Sequence, residues 1–316
     1  MIWVLADDRA GNVNQLLGVV EALGLPYERK DIRYTKWVKC PNLIQGASFM
    51  GIDKASRQKL VAPWPEVVLS AGRRSFPVAW KIKKLSHGKT KIVQLMNAGF
   101  WSQKKADLLV LPQHDQYTGK SPNVMQVVGT PHRITPEKLK TEKKHWQKVL
   151  SPYPSQRLAV IVGGATKDHP FTEAAAAQLV SGIKALKAAS LLMTTSRRTP
   201  KEITAFLKKE LPEPKFFYTF GDQGENPYFG LLSWADKIIV TGDSMSMCSE
   251  CCAVGVPVFV FAPKEMIGEK HRRFHQTLYQ AGYATPFGKK EVVAVHPLNP
   301  APEIAEKIKK EFLKCK

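Results

Sequence analysis

Short apolar runs and longer amphipathic segments alternate along this chain. The first run, IWVLA at residues 2–6, leads into a polar, glycine-containing turn, DDRAGN. The next segment places Leu16, Leu17, Val19, Val20 and Leu23 on one face and stops at Gly24, which predicts a helix after a strand. A strand, a turn and a helix follow in the same order from Val67 onward, with the predicted turn at residues 71–74.

The same order starts again after a segment rich in Pro and Ser at residues 151–156. There the runs RLAVIVGG, SLLMTTS and KIIVTGDS each precede a helical segment. Alternating strands and helices are typical of parallel sheets covered by helices on both faces. The sequence therefore predicts an α/β protein with two Rossmann-like domains facing a cleft, at residues 1–150 and 151–316.

Ligands of open parallel sheets bind beyond the carboxyl ends of the strands. One such end is the run TGDSMSM at residues 241–247. Gly242 permits a tight turn, Asp243 or Ser244 can cap the next helix, and the free amides of its first turn favour a diphosphate. Glu250 lies about one and a half turns into that helix, close enough to accept hydrogen bonds from sugar hydroxyls. The alternative is a simple helix cap with no ligand.

Two further strand ends in the second half are rich in glycine, hydroxyl and basic groups. Adjacent glycines let a backbone approach a ligand closely, although an ordinary tight turn or a solvated turn explains each loop equally well. The motifs GxxxxGK[ST] and GxGxxG are absent, so we expect no dinucleotide cofactor. Amides at a helix N-terminus and Arg197 would stabilise the departing diphosphate, so we expect no metal either. The predicted donor-binding residues are Gly163, Gly164, Lys167, Thr194, Ser196, Arg197, Gly242, Asp243, Ser244, Ser246 and Glu250.

The first half has its own polar strand ends, which we assign to an acceptor or partner. Asp8 is the candidate general base, provided that it faces the cleft. The alternative is that Asp7 or Asp8 only caps the following helix. The predicted acceptor-side residues are Gly11, Asn12, Gln15, Gly72 and Arg73.

The formal net charge is +20, and residues 1–150 contribute +14 of it, from 25 basic and 11 acidic residues. Such a field attracts nucleic acid, anionic lipid or phosphorylated small molecules, unless it is only a solvated basic surface. We expect no sequence-specific nucleic acid, because no recognition motif is present, and we keep an anionic membrane surface as a partner. No apolar run reaches the roughly 18 residues of a membrane span, and the five cysteines do not suggest a disulfide framework. We therefore predict a cytoplasmic protein, peripheral on the inner face of the membrane.

Several blocks resemble the ELM (elongated-mitochondria) fission-factor family of plants and its bacterial homologues. The most distinctive block contains the run TGDSMSMCSE, followed by Gly255 and Pro257. The other similar blocks are DRAGNVNQ from Asp8, SAGR from Ser70, TTSRRTP from Thr194, NPY from Asn226, and Ala235 with Asp236. The resemblance touches nearly the whole chain.

This resemblance implies the fold of GT-B glycosyltransferases. The last block is also similar to the donor loop of the lipid-linked N-acetylglucosamine transferase of peptidoglycan synthesis. In that enzyme a Gly/Ser turn holds the diphosphate and a Glu holds the ribose, and the matching positions here are Gly242, Ser244, Ser246 and Glu250. The Gly-rich N-terminal loop of that enzyme, with its His, is absent here, which leaves the catalytic base open.

Two functions follow as expectations. The first is a metal-independent transferase that moves a sugar from a nucleotide-diphosphate donor to an acceptor, for which a lipid-linked molecule is one candidate. The second is a non-catalytic, membrane-peripheral adaptor. The resemblance suggests the second role because plant members sit on the mitochondrial outer face and help to recruit a dynamin-related protein for fission.

Overall fold

The computed structural model describes residues 1–166, 168–290 and 296–313. The chain forms two compact units. The first comprises Met1–Arg133 and the C-terminal segment from Asn299, and the second comprises Ile134–Leu298. The division therefore falls before residue 150, and the C-terminal segment joins the first unit.

The first unit contains a parallel sheet of six strands among the described residues, in the order β2-β1-β3-β4-β5-β6. Its strands are β1 (Ile2–Ala6), β2 (Tyr27–Asp31), β3 (Val67–Ala71), β4 (Lys91–Leu95), β5 (Leu108–Pro112) and β6 (Val124–Val127). Its helices are α1 (Ala10–Leu23), α2 (Asn42–Gln45), α3 (Lys54–Gln58), α4 (Gly72–Leu85), α5 (Phe100–Lys105) and, at the end of the chain, α13 (Ala301–Phe312), with 3-10 turns at Lys36–Lys39 and Gln113–Asp115.

The second unit contains another parallel sheet, also six-stranded within the part of the chain that is described, in the order β12-β11-β10-β7-β8-β9. Its strands are β7 (Arg157–Ile161), β8 (Ser190–Thr194), β9 (Lys215–Tyr218), β10 (Lys237–Thr241), β11 (Val258–Phe261) and β12 (Thr285–Pro286). Its helices are α6 (Pro136–His145), α7 (Gln147–Leu150), α8 (Glu173–Ala185), α9 (Lys201–Glu210), α10 (Tyr228–Trp234), α11 (Met245–Cys252) and α12 (Glu269–Gln280), with a 3-10 turn at Lys264–Met266.

The central strands of both sheets are apolar because helices cover both of their faces. β1 and β3 are buried at every position, and so is β8. Because these strands are buried, they appear in the sequence as unbroken apolar runs. The prediction of two Rossmann-like domains is confirmed.

Two local features differ from the sequence prediction. β2 has the polar sequence YERKD and lies at the edge of its sheet, so it lacks the apolar pattern that reveals a buried strand. The residues Gly72, Arg73 and Arg74 form the first turn of α4, where a loop was predicted. Within the described residues, no helix has the length and apolar character needed to cross a membrane.

Candidate functional site

Three polar turns of the second unit meet at one edge of its sheet. They follow β7, β8 and β10, which are neighbours in the order β10-β7-β8. Because these strands are parallel, their carboxyl ends lie together and bring the three turns into contact.

The buried carboxylate of Asp243 joins these turns. Oδ2 accepts hydrogen bonds from the Gly164 amide at 2.9 Å and from Arg198 Nη2 at 2.7 Å. Oδ1 accepts one from Thr241 Oγ1 at 2.7 Å, and this hydroxyl in turn accepts from the Gly163 amide at 2.7 Å. The Asp243 side chain is fully shielded from solvent. Asp243 therefore holds the three turns together. Both of its carboxylate oxygens are engaged by the protein, so neither is free for a ligand.

Gly163, Gly164 and Gly242 are required by close packing of the protein against itself. A Cβ atom on Gly163 would lie 2.2 Å from Asp243 Oδ1, and one on Gly164 would lie 2.2 Å from the Arg198 carbonyl oxygen. A Cβ on Gly242 would lie 2.4 Å from the His275 ring. The amide of Gly242 donates to the Phe261 carbonyl, so all three glycine amides are already engaged.

The turn after β8 contains two arginines with different roles. Arg198 binds Asp243 and donates to the Ala165 carbonyl at 3.2 Å, while Arg197 is exposed and makes no hydrogen bond among the described residues. Ser196 Oγ and Thr199 Oγ1 both donate to the Gly163 carbonyl. Sequence reasoning singled out Arg197 and missed Arg198, because adjacent arginines in a turn carry no signal that tells them apart.

Above this network, Ser244 caps α11. Its hydroxyl accepts a hydrogen bond from the Met247 amide at 3.4 Å. Met245 and Ser246 are the first two residues of the helix, and their amides have no acceptor within the described part of the chain. Residues 244–247 are half-buried, so this turn remains accessible at the sheet edge. Accessible amides at a helix N-terminus suit an anion.

Glu250 lies in α11 with its carboxyl group buried. Tyr228, at the start of α10, donates its hydroxyl proton to Glu250 Oε2 at 2.6 Å. Burial raises the pKa of Glu250 to about 7, although the Tyr228 hydrogen bond opposes the shift. The structure thus keeps this carboxyl out of bulk solvent and places its ionisation close to neutral pH.

One histidine beside Asp243 was not predicted as a site residue. His271, in α12, forms a hydrogen bond with the Asp243 backbone. Burial lowers the pKa of His271, the Asp243 carboxylate opposes this shift, and the charges of Arg198 and His169 reinforce it. Histidines on an amphipathic helix are common without a ligand, so only the fold could show that His271 lies beside Asp243.

Two other predicted donor-binding residues, Thr194 and Lys167, have no described contact with this network. Thr194 is buried, and its hydroxyl donates to the Thr195 carbonyl at 3.3 Å. Lys167 lies outside the described residues.

In the first unit, Asp8 is held by Arg74. The exposed Asp8 carboxylate accepts hydrogen bonds from both terminal nitrogens of Arg74, which also bonds the buried Asp7 at 3.1 Å. The Arg74 hydrogen bond lowers the pKa of Asp8, which makes that carboxylate a weaker base. Asp7 also accepts from the Arg9 amide and from Asn12 Nδ2, so it orders the start of α1.

The remaining acceptor-side candidates have mixed positions. The Arg73 guanidinium donates to the carbonyls of Cys40 at 2.8 Å and Val38 at 2.9 Å. Gln15 is buried, whereas Gly11 is exposed at the start of α1. Gly72 is the first residue of α4. It has a φ of +71° and lies near Asn12 Nδ2. Arg73 therefore has a clear structural task in holding residues 38–42.

A profile of the mitochondrial fission ELM1 family matches residues 10–312, and the chain belongs to this family. An uncharacterized protein of Rickettsia prowazekii, RP120, is 28% identical over 348 aligned positions that cover 98% of this chain and 97% of the relative. The mitochondrial fission protein ELM1 of Arabidopsis thaliana is 26% identical and covers 84% of this chain and 68% of the relative.

Solved structures with the same fold include epimerases and glycosyltransferases. UDP-GlcNAc 2-epimerase from Neisseria meningitidis, bound to UDP-GlcNAc, gives a TM-score of 0.54 at 13% identity, with 99% of this chain and 100% of that chain covered. The glycosyltransferase of kitacinnamycin gives 0.56 at 13% identity, with 99% and 94% covered. Because the sequence identity is this low, the structural similarity establishes the fold alone. That fold is the GT-B arrangement of two Rossmann-like domains.

Proposed function

We propose that this chain binds a nucleotide-diphosphate sugar on its second unit and transfers the sugar to an acceptor. The observation that carries this proposal is the Asp243-centred network beneath an accessible helix N-terminus. It holds the Met245 and Ser246 amides and the Arg198 guanidinium at one edge of the sheet. Proteins of this fold include one whose structure holds UDP-GlcNAc, which supports the same ligand class here.

Each group has a role in the proposed reaction. The Met245 and Ser246 amides, with the α11 dipole, would bind the diphosphate and stabilise its charge as it departs. Arg198, His271 and the exposed Arg197 add donors on the same side, so we propose a transfer that needs no metal. Glu250 Oε1, which has no partner among the described residues, would accept a ribose hydroxyl.

The acceptor is assigned to the first unit, whose basic surface suits an anionic molecule such as a lipid-linked phosphate. Asp8 stays the predicted base, and Gly11, Asn12, Gln15, Gly72 and Arg73 stay the predicted acceptor-side residues. The ion pair between Asp8 and Arg74 must open before the Asp8 carboxylate can take a proton efficiently.

Isothermal titration with UDP-, GDP- and CMP-sugars tests the donor site. We expect one nucleotide class to bind the wild type and Glu250→Gln to weaken binding about tenfold or more, since a buried hydrogen bond to a charged group is lost. The matched control is Glu202→Gln, an exposed position on α9 that should bind like the wild type. No binding by the wild type to any of these sugars would refute the donor site.

The adaptor role is the second candidate, and one observation favours it. Asp8, the proposed base, is paired with Arg74, and its pKa is lowered. Family membership with a mitochondrial fission protein fits this alternative. Donor binding without sugar transfer to any acceptor, in a chain whose Asp8→Asn variant behaves like the wild type, would favour the adaptor.

A further inference from the structure

Two segments of the first unit contain no acidic residue at all. Residues 32–52 hold 3 basic residues, and residues 67–106 hold 9. Between Asp31 and Asp107, the acidic residues are Asp53 and Glu66 alone. The charge of the first unit is therefore concentrated in these two segments.

The same segments display the most exposed large apolar side chains of the described chain. Leu43 and Ile44 are each 71% exposed, Trp37 is 60% exposed and Phe100 is 59% exposed. Exposed lysines accompany them, and Lys104 Nζ lies 4.4 Å from the centre of the Phe100 ring. We call this surface the apolar–lysine face and define it by Trp37, Leu43, Ile44, Phe100, Lys39 and Lys104.

Buried polar groups hold the face in a fixed shape. The Asn42 side-chain amide donates to the Arg73 carbonyl at 2.9 Å and to the Ala98 carbonyl at 3.0 Å, which joins the segment of Leu43 to that of Phe100. The Arg73 guanidinium binds the carbonyls of Val38 and Cys40. These hydrogen bonds fix the backbone that carries the apolar side chains, which lowers the cost of ordering this backbone on binding.

We propose that the apolar–lysine face docks on an anionic lipid bilayer. Large apolar side chains exposed together mark an interaction surface, and a Trp ring favours the boundary between headgroups and acyl chains. Leu43, Ile44 and Phe100 enter the acyl region, while Lys39 and Lys104 contact lipid phosphates. The negative charge of lipid phosphates complements a basic surface that has no carboxylates. A bilayer also accommodates protruding apolar side chains, which a flat protein surface would not. This inference is independent of the proposed sugar transfer.

Vesicle sedimentation of the full chain tests the proposal. We expect binding to phosphatidylcholine vesicles containing about one third phosphatidylglycerol, weaker binding at high salt, and much weaker binding to phosphatidylcholine alone. The paired variants Leu43→Ser with Ile44→Ser, and Lys39→Glu with Lys104→Glu, should each weaken binding about tenfold or more. A blue shift of tryptophan emission on binding should shrink in Trp37→Phe.

Matched controls use exposed residues elsewhere in the chain. Leu25 and Val61 precede strands of the same sheet, whereas the face follows strands, so Leu25→Ser with Val61→Ser should bind like the wild type. Lys140→Glu with Lys144→Glu, on α6, is the charge control. Thermal melts must show every variant folded.

Three results would overturn the proposal. One is equal binding to neutral and anionic vesicles, and another is equal loss in the face variants and their controls. The third is a wild-type dimer that the Leu43→Ser and Ile44→Ser pair converts to a monomer in light scattering, which would make the face a contact between two copies of the chain.

Discussion

At Asp243 a single buried carboxylate serves donors from two other turns and from the end of its own strand, β10. Its side chain binds the Gly164 amide, the Thr241 hydroxyl and the Arg198 guanidinium. A cap for α11 was one of its predicted roles, but Ser244 supplies that cap. Such a group affects the site indirectly, by fixing the turns on which ligand-binding atoms lie.

Asp243→Asn should therefore destabilise the protein and weaken donor binding together. The amide keeps the shape but offers one acceptor oxygen in place of two, so at least one buried donor loses its partner. We expect a loss of about 2 kcal/mol in the free energy of unfolding. Urea denaturation measures it, and Asp222→Asn, at an exposed carboxylate, should cost less than about 1 kcal/mol. Similar losses in both variants would contradict the role given to Asp243.

Glu250 makes stability depend on pH in a defined direction. Its pKa is raised to about 7 from a usual value of 4.5, so the folded state binds the proton more tightly than the unfolded state does. Stability is then lost as the pH rises from about 5 to 8, by about 3 kcal/mol for this group. The difference in unfolding free energy between the wild type and Glu250→Gln should fall across this range. A constant difference would show that Glu250 is ionised throughout.

At the scale of the element, helix α1 shows how packing reverses an intrinsic preference. Gly18 lies in the middle of α1, where Ala would normally stabilise a helix by about 1 kcal/mol. A Cβ at this position would lie only 2.4 Å from the backbone carbonyl oxygen of His132. The glycine is needed because that loop passes directly over the helix.

Gly18→Ala should consequently destabilise the protein, by about 1–3 kcal/mol. Ser181→Ala, at an exposed position on α8, is the control and should change stability by less than about 0.5 kcal/mol. Chemical denaturation followed by circular dichroism measures both. A more stable Gly18→Ala protein would mean that residues 130–132 can move away from α1 at little cost.

At the scale of the whole molecule, the end of the chain completes the core of the first unit. α13 packs against α1, and Ile304 and Ile308 are fully buried among the strands and helices of residues 1–133. The first unit is therefore built from two chain segments that are separated by the whole second unit.

Ile304→Ala should weaken the first unit, although residue 304 is remote from it in sequence. The expected cost is about 2–5 kcal/mol, as for other buried large-to-small changes. Hydrogen exchange should then accelerate in α1 and leave α8 unchanged. Glu306→Ala, on the exposed side of the same helix, should leave exchange in both helices unaltered.

The sequence by itself determined the two Rossmann-like sheets and the position of the turn before α11. Buried parallel strands need unbroken apolar runs, and a helix cap needs its residues within one turn, so both leave a local pattern. Gly24 ends α1 in the left-handed conformation for the same local reason. The roles of the predicted site residues stay predictions, because they depend on a ligand.

Only the tertiary structure decided which residues meet. It paired Arg198 with Asp243, brought His271 to the same residue, used Arg73 to hold residues 38–42 and placed α13 in the first unit. Each of these facts is a distance between segments that lie far apart along the chain. Such distances follow from how the helices and strands pack, which no local pattern of apolar and polar residues records.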